Sequence, residues 1–143
     1  MEHGRQYCTF QLDGWLLGVP IERVQEVIRP PETTGVPLAP RAVSGLINLR
    51  GEIVTAIDLR RRFGAAARTD DAETMNVVLR HEEGAVALRV DAIGDVLEVT
   101  ADRFRTPPPT LTGPAHELVR GVYELDDGLL LVLDTERAVE GMD

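Results

Sequence analysis

The stretch Gly45-Leu46-Ile47-Asn48-Leu49-Arg50-Gly51-Glu52-Ile53-Val54-Thr55-Ala56-Ile57-Asp58-Leu59 holds strand, turn, strand and helix start in one short run. Leu46–Leu49 and Ile53–Ile57 carry the aliphatic and β-branched residues that suit a pleated, half-buried surface. Arg50-Gly51-Glu52 supplies the glycine-bearing turn of a hairpin between them. Asp58 stands just before Leu59-Arg60-Arg61-Arg62-Phe63. There its carboxylate can accept bonds from the free N–H groups of a helix start, and its charge suits the positive end of the helix dipole. Gly64 follows where a helix end favours positive φ.

The same pattern recurs outward from this run. Cys8, Phe10 and Leu12 alternate with Tyr7, Thr9 and Gln11, and Asp13-Gly14 then turns the chain into Trp15–Val19. Val77–Arg80 and Ala85–Val90 flank a loop ending in Gly84, and Val122–Leu125 and Leu129–Leu133 flank Asp126-Asp127-Gly128. Asp134 begins Asp134-Thr135-Glu136-Arg137-Ala138-Val139 as Asp58 begins its own helix, with Gly141 at the far end. Short, closely spaced strands with Gly-bearing turns predict an all-β barrel or sandwich.

The chain is also written twice. Ile21-Glu22-Arg23-Val24-Gln25-Glu26-Val27 and Ile93-Gly94-Asp95-Val96-Leu97-Glu98-Val99 share the pattern I-x-x-V-x-E-V. Each runs into a proline-rich stretch, Pro30–Pro40 or Pro107–Pro114. Beyond it, Val43, Gly45, Leu49, Ile57 and Asp58 align without gaps on Val119, Gly121, Leu125, Leu133 and Asp134. Shared order and shared loop chemistry predict two homologous β-halves, 7–63 and 76–139. The small, acidic, unpatterned segment 64–75 reads as the linker between them. Strand exchange between halves is open, so these bounds describe sequence rather than spatial units.

At 143 residues the chain is long enough for one domain with a stable core. Its net charge of −9 argues against nucleic acid, whose phosphates need a basic footprint. Aromatic residues at 4% leave little for base or sugar stacking. No run approaches the ~18 apolar residues of a membrane span, and the polar start lacks the apolar stretch of a secretory signal. The single cysteine, Cys8, excludes an internal disulfide framework. Together these predict a cytoplasmic protein without membrane insertion.

Catalytic groups are thin. Cys8 falls on the apolar face of a predicted strand and reads as a small core residue rather than a thiolate. His3, His81 and His116 share no ligand spacing, so no metal is expected. Asp70, Asp71, Glu82, Glu83, Asp126 and Asp127 sit in linkers or turns, where solvation explains them. Ser44 is the sole serine, and no phosphate-cradling loop precedes a helix. Neither catalysis nor a cofactor is expected, which leaves a surface for partners. Two β-barrels side by side leave a groove in which a partner helix can lie with its apolar face down.

The run Val43–Phe63 resembles the G-x-x-N-L-R-G-x-[IV]-x-P-[IV]-[VI]-D-L-R-x-x-[FL] signature of the CheW family. Phe10-x-Leu12-x-Gly14 through Val27 resembles the family's opening strands, Val90-Asp91-x-Ile93-x-x-Val96 its V-D-x-V-x-x-V run, and Gly121 to Asp134 its close. The resemblance covers 7–139 and departs where the family's proline gives way to Thr55-Ala56, and in the linker and proline-rich loops. It implies a single CheW-like domain over 1–143: two interlocked SH3-like five-stranded β-barrels with short helices and a hydrophobic interior between them.

The resemblance also implies a non-catalytic adaptor of bacterial chemotaxis. Its partners would be the regulatory domain of the histidine kinase CheA, with which the family builds rings and arrays, and the cytoplasmic tips of methyl-accepting chemoreceptors. A related pathway for pili, surface motility or gene regulation uses the same surfaces. By analogy, Val24, Glu26, Gly45 and Arg50 are receptor-binding positions, with Ala87, Ile93 and Val96 on the second-half side of the groove. The second copy of the signature lacks Arg50-Gly51, so Arg50 and its neighbour Asn48 are the part that scaffold alone does not explain. An internal salt bridge pinning the turn remains open for Arg50, as does a close approach excluding Cβ for Gly45. Val36 and Leu38, apolar residues in a proline-rich loop, are candidates for the kinase face or for the core.

Overall fold

The computed structural model describes residues 4–66, 74–82 and 84–140. His3, Asp70, Asp71, Glu83, Gly141 and most of the 64–75 linker lie outside the described residues.

The hairpins form where the alternation and turn residues place them. The strands β1 (Arg5–Leu12) and β2 (Trp15–Pro20) meet at Asp13 and Gly14, both at positive φ, +50° and +84°. A 3-10 turn, Ile21–Arg23, leads into β3 (Val24–Ile28). Next come β4 (Val43–Leu49), β5 (Glu52–Asp58) and the helix α1 (Leu59–Arg62). The second half runs β6 (Met75–Leu79), β7 (Val86–Val90), β8 (Ala92–Val99), a 3-10 turn Ala101–Arg103, and the short β9 (Phe104–Arg105). It closes with α2 (Pro114–Leu118), β10 (Val119–Leu125), β11 (Gly128–Leu133) and α3 (Thr135–Val139). The proline-rich stretch Pro107–Pro114 ends in α2, which the sequence pattern does not predict. α2 is a helical turn because Pro114 sits at its first position, where a missing N–H costs nothing.

The two sheets trade strands. One has the order β8-β1-β2-β11-β10-β9 and the other β3-β6-β7-β5-β4. Each takes the opening hairpin of one half and the third strand and closing hairpin of the other. The exchange is symmetrical: β2 pairs parallel with β11, and β7 parallel with β5. Register breaks fall at Val43/Gly45 and Val119/Gly121. Asp58 N–H donates to the Ala42 carbonyl at 2.7 Å and Asp134 N–H to that of Leu118 at 2.7 Å. The six-stranded sheet exceeds the expected five only by the two-residue β9. Its counterpart in the other sheet is the single bridge of Thr34 to Leu46.

Burial follows this exchange. The largest apolar cluster lies between the sheets, joining Phe10, Leu12, Leu17 and Val19 of one to Ile57, Val77, Leu79 and Leu88 of the other. Ile47, Val54, Ala56, Val78 and Ala87 fill the inner face of the five-stranded sheet, and Tyr7, Val99, Tyr123, Leu130 and Val132 that of the six-stranded one. Strand β1 therefore departs from simple alternation: Cys8 and Phe10 face the inter-sheet core, yet Tyr7 and Thr9 are buried too. Thr9 is accommodated because its hydroxyl donates to the Asp95 carbonyl at 2.5 Å, where β8 bulges opposite it.

Polar braces tie the parts. Asp58 caps α1, accepting from the N–H groups of Arg60 at 3.1 Å and Arg61 at 3.5 Å, and Asp134 caps α3 through Arg137 N–H at 3.1 Å. Gly64, at φ +73°, ends α1. Arg60 reaches from α1 to Asp91 with Nε at 2.8 Å and Nη2 at 3.1 Å, while Asp91 also accepts from Asp13 N–H at 2.8 Å. That fork pins the β1–β2 turn of one sheet to the helix following the other.

Candidate functional site

Glu26 and Arg50 sit on opposite margins of the five-stranded sheet, on edge strand β3 and in the turn leaving edge strand β4. No β-ladder joins those strands. Their side chains nevertheless meet in a two-pronged ion pair, Nη1 donating to Oε1 at 3.0 Å and Nη2 to Oε2. The sheet therefore curls until its edges approach, and the pair fastens them together with the Thr34–Leu46 bridge. Hydrogen bonds from Arg50 hold the Glu26 carboxyl below the usual carboxylate range, and Glu26 in turn raises the Arg50 guanidinium.

Arg50 is left accessible. Its side chain is 70% exposed against 22% for Glu26, so Glu26 is covered while the outer side of the guanidinium faces solvent. Arg50 stands at φ +50° and Gly51 at +90°, which makes the turn a two-residue hairpin of the primed type. The Asn48 carboxamide closes that turn by accepting from Gly51 N–H at 2.8 Å. Opposite Asn48 in the ladder stands Ile53, 64% exposed, a residue that sequence reasoning assigned to scaffold. Its signal was positional: it adjoins the turn and alternates with buried Val54, so it falls on the outward face of β5.

The remaining candidates divide by burial. Val24 on β3 and Ile93 on β8, one from each sheet, are half-buried and pack on the rim of the inter-sheet cluster. Val96 is 51% exposed on the edge of the six-stranded sheet. Ala87 is fully buried inside the five-stranded sheet and so, contrary to expectation, presents no groove surface. Gly45 is buried as well: a Cβ there would collide with the Thr34 carbonyl oxygen. The close approach left open in the sequence is the one observed. Leu38 is fully exposed at φ +64° and Val36 is partly exposed, which places both outside the core.

Internal comparison separates scaffold from specialisation. Asp126, in the turn equivalent to that of Arg50, also forms an ion pair, with Arg103 at 3.0 Å. Both sheets thus brace this turn with a salt bridge, but with reversed polarity. An ion-pair brace is common to both turns, and the cation stands in the turn itself only at Arg50.

Cys8 is buried in the inter-sheet cluster, and burial pushes its thiol pKa up. Among the described residues, no three His, Cys, Asp or Glu side chains gather as metal ligands. No helix among them is long and apolar enough to cross a membrane.

A doubled β-scaffold with an exposed cation and apolar loop residues defines a docking module of the adaptor class. The family model described as CheW-like domain matches residues 6–141, and the chain belongs to that family. It is 32% identical over 136 residues to Chemotaxis protein CheW of Treponema pallidum, covering 92% of this chain and 80% of that protein. It is likewise 32% identical over 134 residues to Chemotaxis protein CheW of Klebsiella aerogenes, covering 94% and 81%. The crystal structure of the scaffolding protein TtCheW from Thermoanaerobacter tengcongensis superposes with a TM-score of 0.87 at 28% identity, covering 96% of this chain and 94% of that one. The family is one of scaffolds and adaptors, not catalysts.

Proposed function

We propose that this chain is the non-catalytic adaptor coupling methyl-accepting chemoreceptors to the histidine kinase CheA in bacterial chemotaxis, acting in the cytoplasm. The observation that carries the reading is the outward face of Arg50, held by Glu26 and Asn48 at the curled edge of the sheet. A guanidinium engaged on one side keeps donors for a carboxylate or carbonyl on the other. The cytoplasmic hairpin tip of a receptor is the partner assigned to this edge, with Val24 of β3 and Ile93 and Val96 of β8 giving apolar contact. Gly45 and Ala87 serve that surface through backbone approach and packing rather than by contact. Val36 and Leu38 are assigned to the regulatory domain of the kinase, as two exposed apolar residues close together in one proline-rich loop.

In mechanism, the adaptor holds both partners, and a shift at one interface changes the free energy of the other. The chain acts as a single domain, with 7–63 and 76–139 as units of sequence that share both sheets. Pull-down with a cognate kinase regulatory domain and a receptor tip fragment tests the reading. Wild type is expected to retain both, Arg50→Ala and Glu26→Ala to weaken the receptor arm, and Leu38→Ser the kinase arm. A wild-type protein that retains neither would overturn it.

A further inference from the structure

The symmetry of the fold provides an internal control for a second site. Gly45 opposes Ala56 and Ile47 opposes Val54 in one closing hairpin, as Gly121 opposes Val132 and Tyr123 opposes Leu130 in the other. Tyr123 thus stands where Ile47 does, and Arg120 where Ser44 does. In the five-stranded sheet these places make an aliphatic interior, and the Ser44 hydroxyl is taken up by the Ala56 carbonyl at 3.0 Å. The scaffold therefore requires neither a phenol nor a cation there.

The six-stranded sheet has both, around a cleft of about 580 Å³. That volume falls within the range of small-molecule sites, roughly 300–1,000 Å³. Tyr7 and Tyr123, buried with ring centroids 5.5 Å apart, floor the cleft, and Phe104, 41% exposed, stands edge-on to Tyr123 at 5.1 Å. Burial and a hydrogen bond with Tyr7 push the Tyr123 phenol up to about 12, so it stays a neutral hydrogen-bonding group at ordinary pH.

Some of the charged groups at the rim are engaged internally. Arg23 is taken by Glu136 at 2.5 Å and by the Thr135 hydroxyl at 3.0 Å, and Asp134 caps α3. The guanidiniums of Arg5 and Arg120 make no hydrogen bond or ion pair among the described residues, and the only acid left at the rim without a partner among them is Glu22. The three arginines and three carboxylates that line the cleft balance in formal charge, and Arg5 and Arg120 are the two guanidiniums among them without a partner among the described residues.

We propose that this cleft binds a small organic anion, a carboxylate or phosphate ester on a flat apolar body. Arg5 and Arg120 take the anionic head through charge-assisted hydrogen bonds, and the body lies against the exposed Phe104 ring above the floor of Tyr7 and Tyr123. Neither Glu26, Asn48 nor Arg50 lines this cleft, whose Glu22–Arg23 margin leads into β3.

The test is amide ¹H–¹⁵N NMR of the full chain, titrated separately with phenyl phosphate, benzoate, inorganic phosphate and benzylamine. At least one of the two aromatic anions is expected to give saturating shifts centred on Tyr7, Phe104, Arg120 and Tyr123. Inorganic phosphate should bind at least about tenfold more weakly for want of the stacking body, and benzylamine not at all. Arg120→Gln should weaken the bound anion at least about tenfold, while Arg29→Gln leaves it unchanged. Aromatic anions that give no saturating shifts, inorganic phosphate binding as well as they do, or an Arg120→Gln protein binding like wild type would overturn the proposal. No kinase or receptor is present, so failure here is separable from failure of the coupling reading.

Discussion

Gly45 and Gly121 occupy equivalent places in the two halves, but a methyl group meets different neighbours at each. At Gly45, φ is +146° and the obstacle is the Thr34 backbone, which is fixed by its own bridge to Leu46. At Gly121 the first obstacle is the tip of the Phe104 ring, which can swing away. Gly45→Ala is therefore expected to cost about 3 kcal/mol and Gly121→Ala about 1 kcal/mol, measured by urea unfolding. Gly45 could be singled out from its sequence neighbourhood, but its reason could not, because Thr34 reaches it through a proline-rich loop whose path no periodicity describes. Arg50 was partly legible in the same way. The turn was plain, while its partner lies 24 residues away on the opposite margin of a curled sheet.

Cys8 gives a second prediction at this scale. Burial raises its pKa in the folded chain above the ordinary 9.0, so the unfolded thiol ionises first as pH rises. The stability it contributes is complete below the unfolded value and is lost as pH climbs through the folded one. At pH near 8 a thiol reagent should label folded protein slowly and urea-unfolded protein at once. Equal rates would place the thiol at the surface.

At the scale of elements, the helices are so short that their ends decide whether they form. α1 and α3 each begin at an aspartate accepting from main-chain N–H groups, with side chains 16% and 22% exposed. Asp58→Ala and Asp134→Ala should each cost about 1 kcal/mol, with Asn at either position recovering most of it. Both caps were legible, because an aspartate at the end of a β-run before an arginine-rich or polar turn has few other uses. Strand β1 was legible in position but not in burial. Alternation reports one buried face, whereas a strand between two neighbours in an interlocked pair of sheets is covered on both. The α2 turn went unread because His116 and Glu117 give it no apolar period.

For the whole molecule, the internal repeat predicted the doubling, and the exchange of strands explains why the repeat halves are not bodies. Residues 7–63 alone supply β1 and β2 without β8 and β11, which flank them, and β3 without β6. Each half expressed separately should show no cooperative unfolding and little amide dispersion. Mixing 7–63 with 76–139 should restore both, because the missing ladders and the inter-sheet core form only together. The groove expected between two barrels is largely that core, and its rim holds Val24 and Ile93.

The central claim is that this chain joins a receptor to a kinase and turns over nothing itself. Vesicles bearing a methyl-accepting receptor, mixed with CheA and sedimented with and without this protein, test it most directly. Kinase is expected to pellet with the vesicles only when the wild-type chain is added. Arg50→Ala should lower the pelleted fraction while leaving kinase binding in solution intact. Kinase pelleting that is indifferent to the chain, or unchanged by Arg50→Ala, would contradict it.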